Sequence, residues 1–463
     1  MSNKLRNIGL IGIGVVVGVL ASLNIAAIGK DEPKSVGGLP IEELRSFADV
    51  FNAIKQGYVE PVDDKKLLTY AISGMLSNLD PHSTYLDADA FKDLQVSTQG
   101  EFGGLGIEVG MEDGFVKVVS PIEDTPAYKA GVQAGDFIIK LDDTPVRGMT
   151  LSDAVKRMRG KPKTPIRLTI VRKGEPKPIE ITIVRDKIKV QSVKAKVLDD
   201  SFGYVRVTQF QEETTADVVK ALDKMNKDAK GNLRGLVLDL RNDPGGLLNS
   251  AVGVSAAFLP AKALVVSTDG RTDDAKRKFL AIPEDYQRGR GDVLKDLPAG
   301  SRDIPMVVLV NGGSASASEI VAGALQDHKR AVIMGTQTFG KGSVQTVLPL
   351  SNSTAIKLTT ARYYTPSGRS IQAKGITPDV IVEESPNGSA RERLREADLE
   401  HHLENDKDKS TAAVPDAKSK TKSKKNEMDD EPLGKPLEFA SKDDYQLGQA
   451  LNLLKAWQII QKK

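Results

Sequence analysis

The run Ile304-Pro305-Met306-Val307-Val308-Leu309-Val310 is followed by Asn311-Gly312-Gly313-Ser314-Ala315-Ser316-Ala317-Ser318-Glu319, and then by Ile320-Val321-Ala322-Gly323-Ala324-Leu325. The first seven residues are apolar and rich in valine, the composition of a strand buried on both faces. The last six predict an apolar helix. Between them, glycines allow a tight turn and serines stand where helix caps stand. The same alternation recurs on either side: Phe202–Phe210 reads as a strand, Thr215–Asn226 as a helix, and Leu233–Leu240 and Ala331–Gly335 as strands. Residues 186–384 therefore read as an α/β unit with a largely parallel sheet.

This region also holds the candidate chemistry. A serine at a helix N-terminus meets unpaired N–H groups and the positive end of the helix dipole, which favour a developing alkoxide. Ser316 and Glu319 equally fit the Ser-x-x-Glu capping box, so a cap and a nucleophile both remain open. Lys341 lies between glycines in Gln337-Thr338-Phe339-Gly340-Lys341-Gly342-Ser343-Val344-Gln345. It reads either as a surface turn residue or as a general base, since a buried ammonium loses hydration and its pKa falls. Gln345, four residues on, is placed to hold the lysine. After the strand ending at Leu240, Arg241-Asn242-Asp243-Pro244-Gly245-Gly246 brings paired glycines. The N–H of Gly245 or Gly246, with that of Ala317, can bind an oxyanion. A plain strand-to-helix turn is the alternative.

Around this core the chain divides further. Lys4 and Arg6 precede an apolar run from Ile8 to Ile28, long enough to span a bilayer. Residues 1–30 are expected to be an uncleaved membrane anchor or a cleaved signal peptide, and either exports the rest. Residues 38–96 read as a helical region, with amphipathic helices over Pro40–Tyr58 and Asp64–Leu79 and a turn at Asp80-Pro81-His82-Ser83. Their apolar faces suit packing on a core or self-association. Residues 97–185 form a β-rich module with runs at Phe115–Val119, Phe137–Leu141, Ile166–Val171 and Ile179–Val184, and one helix at Thr150–Met158. Residues 385–435 lose apolar content and read as a disordered charged linker. Residues 436–463 return to helix, and the apolar face of Leu447, Ala450, Leu451 and Leu454 must dock on something.

Composition limits the options. With no cysteine, thiol chemistry and cysteine-bound metal are excluded; four histidines leave few imidazole candidates, and a net charge of +3 gives no case for nucleic acid. His328 lies 12 residues beyond Ser316 on one predicted helix, about 18 Å away, too far for proton transfer. Sequence distance alone leaves His82 open.

The module at 97–185 resembles a PDZ domain. Gly103-Gly104-Leu105-Gly106-Ile107 matches its carboxylate-binding loop, and Pro126-Ala127-Tyr128-Lys129-Ala130-Gly131-Val132-Gln133-Ala134-Gly135-Asp136 its second signature. Consecutive N–H groups in such a loop make an anion nest, and the strand that follows offers a free edge to an extended peptide. Gly104, Leu105, Gly106 and Ile107 are the candidate tail-binding residues.

Together, Met75–Tyr85, Leu240–Leu247, Asn311–Glu319 and Thr338–Gln345 resemble the carboxyl-terminal processing (tail-specific) protease family, with the PDZ domain between the first and second. The resemblance implies a ClpP/crotonase-like α/β protease core, a β-rich PDZ domain, and N-terminal and C-terminal helical segments. It implies a serine endopeptidase with Ser316 as nucleophile, Lys341 as general base and Gln345 as the orienting third member. The 25-residue Ser–Lys spacing agrees; Ser314 and Ser318 are the neighbours most easily confused with the nucleophile. Gly245 or Gly246, with Ala317, becomes the oxyanion site. No metal or cofactor is implied. Arg159 stands where a gating contact between PDZ domain and protease core is expected. The expected partners are proteins with exposed apolar C-termini and further copies of this chain; delivery by an adaptor is left open. The expected location is the periplasm, tethered to the inner membrane or free after signal cleavage. A non-catalytic PDZ scaffold is disfavoured because Ser316, Lys341 and Gln345 are all present. A crotonase-type acyl-CoA enzyme explains neither the PDZ module nor the export segment.

Overall fold

Alternation along buried strands decides which elements cover the central sheet. The computed structural model describes residues 40–122, 124–287, 289, 291–386, 393–407 and 439–461. The expected anchor or signal peptide at 1–30, and residues 408–438 of the charged stretch, lie outside these. The chain splits into two units, 1–74 and 75–463. In the first, helix α1 (Ile41–Gly57) is followed by α2 (Asp64–Ser77), which ends just past the boundary. Lys55 Nζ donates to Asp64 Oδ2 at 2.8 Å, and Leu44, Phe47 and Ile54 stay exposed.

The second unit begins with β1 (Thr84–Leu86), α3 (Ala88–Gln99) and β2 (Glu101–Gly104). A module follows: β3 (Ile107–Glu112), β4 (Phe115–Pro121), α4 (Pro126–Lys129), β5 (Phe137–Leu141), β6 (Thr144–Pro145), α5 (Leu151–Met158), β7 (Pro165–Val171) and β8 (Ile179–Val184). Its sheet has the order β3-β4-β5-β7-β8, all antiparallel, with β6 on β5. β9 (Asp186–Lys189) returns to pair with β2. Then come β10 (Val193–Leu198), β11 (Phe202–Val207), α6 (Thr214–Asp228), β12 (Gly235–Asp239), α7 (Leu248–Ala256), β13 (Leu264–Gly270), β14 (Arg277–Leu280) and α8 (Pro283–Tyr286). β15 (Met306–Val310), α9 (Ala317–Asp327), β16 (Val332–Gly335), β17 (Ser343–Pro349), β18 (Ala355–Tyr364), β19 (Val380–Ile381) and α10 (Tyr445–Gln461) complete it.

The central sheet runs β10-β11-β12-β15-β16-β19 and is parallel except for the β10–β11 pair. β12 and β15 are buried along their whole length. Leu236 and Leu238 turn to one face, where they join residues of α6, α7 and α9 in the main core. Val237 turns to the other, where Val307, Leu309 and Met334 pack with Leu447, Ala450 and Leu454 of α10. A parallel sheet needs both faces covered, and the C-terminal helix supplies the second layer. Each such aliphatic side chain contributes about 1.5–3 kcal/mol on burial.

A second sheet, β1-β18-β13-β14 with β17 on β18, is wholly antiparallel. The reading of a largely parallel sheet therefore holds for one of two layers. The stretch 268–302 reads as charged, yet it carries the end of β13, β14 and α8, with Tyr286 and Leu294 buried. Its backbone and polar groups pair inward, as in Thr268 Oγ1 to the Ala275 carbonyl at 2.8 Å and Leu280 N to Asp285 Oδ2 at 2.7 Å. The expected linker at 385–435 also needs correction. Residues 393–407 fold back onto the core through polar contacts that composition does not reveal: Glu396 is fully buried, and Asn405 Nδ2 donates to the Gln372 carbonyl at 2.7 Å.

One buried cluster fixes α10 to the strand that leads into the paired glycines. Arg241 donates from Nε and Nη2 to Asp239 at 2.9 and 2.8 Å, from Nη1 and Nη2 to Asp444 at 2.9 and 2.6 Å, and from Nη1 to Gln446 Oε1 at 2.9 Å. Replacing Arg241 with Met leaves Asp444 buried without its cation and Asp239 with only Arg206, 3.9 Å away. Chemical denaturation is expected to show a loss of about 3–5 kcal/mol; an unchanged midpoint would mean that the cluster does not hold the helix.

Candidate active site

β15 ends in the turn Asn311–Ala315 and α9 starts at Ala317. Ser316, between them, has φ 54° and ψ −111°, a region that non-glycine residues rarely occupy. Such a sharp, strained strand-to-helix turn thrusts a hydroxyl out of the surrounding backbone, and strain of this kind concentrates at reactive sites. The neighbouring serines are committed elsewhere. Ser314 Oγ donates to the Leu240 carbonyl at 2.8 Å and accepts from Asn311 N at 3.0 Å; Ser318 Oγ donates to the Asp243 carbonyl at 3.0 Å. Both are fully buried, whereas Ser316 retains access.

Glu319 joins this turn to the lysine segment. Its Oε2 accepts from Ser316 N at 2.8 Å and Lys341 N at 3.0 Å, and its Oε1 from Thr338 Oγ1 at 2.6 Å and Gly340 N at 2.7 Å. Burial pushes this carboxyl up to about 7 against the pull of those four donors. The capping residue expected from the sequence thus serves two segments at once. Gly342 N donates to Gln372 Oε1 at 2.9 Å, and a Cβ on Gly342 would lie 2.4 Å from Gln372 N, so the lysine loop is seated too closely for any larger residue there.

Lys341 is no surface residue. Burial pushes its amine down to about 8; Lys357 adds to this, and Glu396, Glu319 and Asp80 oppose it. The Tyr363 hydroxyl donates to the Lys341 carbonyl and lies beside the Ser316 side chain. Among the described residues no hydrogen bond joins Ser316 Oγ to Lys341 Nζ. Gln345 does not hold the lysine either: its Nε2 donates to Ser343 Oγ at 3.0 Å and Thr359 Oγ1 at 3.2 Å. The even spacing misleads because Lys341 precedes β17, and a bulge at Thr360 of the facing β18 sets Gln345 opposite Thr359. Thr359 Oγ1 passes the contact on to Asp80 Oδ1 at 3.0 Å, which ties in the Asp80–Ser83 turn. His82 is taken by Glu396, 2.8 Å from Nε2.

The paired glycines lie against Ser316. A Cβ on Gly245 would sit 2.7 Å from Ala317 N and 2.8 Å from Ser316 Cβ, and its φ of +96° already favours glycine. Gly245 N itself donates to Asp243 Oδ1 at 2.8 Å. Burial pushes the Asp243 carboxyl up to about 8. Among the described residues, the N–H groups of Gly246 and Ala317 have no partner.

Among the described residues of the module, β3 pairs only with β4, which leaves its other edge open there. The carbonyls of Leu105 and Gly106 turn inward, accepting from Ala127 N at 2.9 Å and from Ile122 N at 2.9 Å. Their N–H groups have no partner among the described residues. Ile107 is partly buried at the head of that edge, and Gly104 closes β2. Arg159 was expected against the protease core; it reaches α3 instead, with Nη1 3.1 Å from Asp93 Oδ1 and its guanidinium 4.7 Å from the Phe102 ring centroid. Arg185, bonded to the carbonyls of Met158 and Arg157, fixes the end of α5.

These features have counterparts in known proteins. Peptidase family S41 matches residues 201–382, the PDZ domain family 103–183, and the activating protease CtpB N-terminal domain 20–90. A carboxy-terminal-processing protease of Bartonella bacilliformis is 52% identical over 370 residues, 80% of this chain and 82% of that one. The carboxy-terminal processing protease CtpA of Bacillus subtilis is 34% identical over 386 residues, covering 82% and 78%. The chain belongs to the carboxy-terminal processing protease family. It is a serine-type peptidase with a PDZ domain. Among solved structures, a photosystem II D1 C-terminal processing protease is 31% identical, covers 74% of this chain and 94% of its own, and superposes with a TM-score of 0.40.

For this processing protease, the sequence reading missed Tyr363, Gln372, Glu396 and Lys357. None carries a local signal, because each reaches the site from a strand or turn distant in sequence. Glu319 had a signal, the capping box, that accounts for only half of its contacts. Gly245→Ala is expected to push Ser316 and Ala317 apart and to lower kcat by about 100-fold, measured on a peptide substrate with circular dichroism as the folding control. Near-normal turnover would show that the glycine is only a turn residue.

Proposed function

We propose that this protease cleaves exported proteins near their C-termini by a Ser316–Lys341 mechanism. The carrying observation is that, of the three serines in the turn, Ser316 alone retains access, on a backbone bonded through Glu319 to that of the half-buried Lys341. Lys341 Nζ takes the Ser316 proton and Oγ attacks the scissile carbonyl. The oxyanion is received by the N–H groups of Gly246 and Ala317, with Gly245 providing the close approach. The ammonium then returns its proton to the leaving amine, and an acyl-enzyme ester remains. Water, deprotonated by Lys341, attacks the ester and releases the new C-terminus. Gln345 acts at one remove, fixing Thr359 and through it the Asp80 turn.

The PDZ domain captures the substrate tail. The free N–H groups of Leu105 and Gly106 suit a carboxylate, and the open β3 edge suits the extended chain behind it. Arg159 acts as a latch on PDZ position through Asp93 and Phe102. The apolar run 8–28 after Lys4 and Arg6 supports export to the periplasm, with the chain tethered or released.

The test is cleavage of a loosely folded protein with an apolar C-terminus by residues 31–463. Wild type is expected to cut it, Ser316→Ala and Lys341→Ala to be slower by about 1,000-fold or more, and an amidated tail to compete poorly. Cleavage surviving in both variants would overturn the mechanism.

A further inference from the structure

The strap at 393–407 sets two acceptors behind the lysine loop. Glu396 Oε1 accepts from Gln372 Nε2 at 2.9 Å, and the Leu403 carbonyl accepts from the same Nε2 at 3.0 Å. Gln372 and Glu396 are both fully buried, and Gln372 Oε1 accepts from Gly342 N at 2.9 Å. The direction of these bonds is forced. A backbone N–H can only donate, so Gly342 must face the amide oxygen; the amide nitrogen then carries two donors, and the strap meets both. His82 Nε2, 2.8 and 3.0 Å from the two Glu396 oxygens, steadies the carboxylate from the turn after α2. The nearby main chain is held from the same side: Glu396 N donates to the Phe339 carbonyl at 3.1 Å, and Ala373 N to the Gly340 carbonyl at 2.8 Å. Phe339, Gly340 and Gly342 surround Lys341 in the sequence, yet none of these contacts involves the lysine amine.

We propose that Gln372 is a positioning residue for the base, locked by Glu396 and Leu403 of the strap, and that it sets where the Lys341 amine stands relative to Ser316. The inference rests on the reading of Lys341 as general base. Among the described residues no hydrogen bond ties Lys341 Nζ to Ser316 Oγ, so the reach of the amine depends on the backbone that carries it. Glu319 fixes that backbone on one side, through Gly340 N and Lys341 N. Gln372 fixes it on the other, through Gly342 N. Glycine restricts its own backbone least of all residues, so the peptide that follows Lys341 owes its place to this bond rather than to sterics. A catalytic group displaced by about 1 Å loses about 100-fold in rate. The strap thus acts on the chemistry without touching a reacting atom.

The test is turnover of a peptide with an apolar C-terminus by the full chain as wild type, Gln372→Met, Gln372→Glu, and Gln372→Glu combined with Glu396→Gln. Each is checked by circular dichroism and thermal melting. Gln372→Met removes the acceptor for Gly342 N–H; kcat is expected to fall about tenfold or more, with KM changed by less than about twofold because the PDZ domain is untouched. Gln372→Glu keeps that acceptor but sets a second anion against the Glu396 carboxylate and the Leu403 carbonyl, and kcat falls about 100-fold. Adding Glu396→Gln restores the bond directions from Gly342 through both side chains to His82 at unchanged net charge, and kcat recovers by about tenfold or more. A folded Gln372→Met with wild-type kcat overturns the proposal. So does a double variant no faster than Gln372→Glu, or a loss of kcat matched in every variant by the fraction unfolded. An inactive Lys341→Ala beside an unimpaired Gln372→Met sinks the positioning role and leaves the base assignment standing; an active Lys341→Ala sinks that assignment itself.

Discussion

One buried carboxylate holds this active site together. The Ser316 turn follows β15 and the Lys341 loop links β16 to β17, and few direct bonds join them. Glu319 accepts from both, so the position of one backbone fixes the other. Burying an ionised carboxylate costs several kcal/mol, and charge-assisted hydrogen bonds of about 1.5–3 kcal/mol each offset much of that. The joint also requires what surrounds it. Ser316 can keep its unusual backbone only because Ser314 and Ser318 anchor the turn on either side.

A second constraint acts from behind the sheet. β12, which ends at Asp239, delivers the paired glycines, and its outer face is covered by a helix from the end of the chain. Arg241 locks the two together through Asp239 and Asp444. The loop of paired glycines is thus supported on one side by Asp243 and the Ser316 turn, and on the other by α10. Chain segments more than 200 residues apart, such as Arg241 and Asp444, must assemble before the glycines are in place.

Much of this was legible in the sequence, and unevenly. Apolar, valine-rich runs reported β12 and β15, because strands buried on both faces leave a continuous signal. Glycine-serine and glycine-lysine turns reported Ser316 and Lys341, because close approach excludes other residues. β14 and the antiparallel layer were hidden, since half-exposed strands carry charges that resemble a loop. The strap at 393–407 was hidden because it is held by polar contacts such as Gln372 Nε2 to the Leu403 carbonyl at 3.0 Å rather than by an apolar face. Gln345 was drawn toward Lys341 by spacing alone, and a bulge sent it to Thr359. Residues such as Tyr363 and Lys357 reach the site only through strand register, which one sequence does not display.

The most direct test of the central claim is the rate at which a small phosphonylating reagent modifies Ser316, compared between wild type and Glu319→Gln. An amide nitrogen in place of one carboxylate oxygen faces donors where it can only donate. If Glu319 couples nucleophile to base, the second-order rate should fall by about tenfold or more while secondary structure is retained. An unchanged rate in a folded Glu319→Gln protein would contradict the account, since the serine would then be poised without the carboxylate that joins it to the lysine.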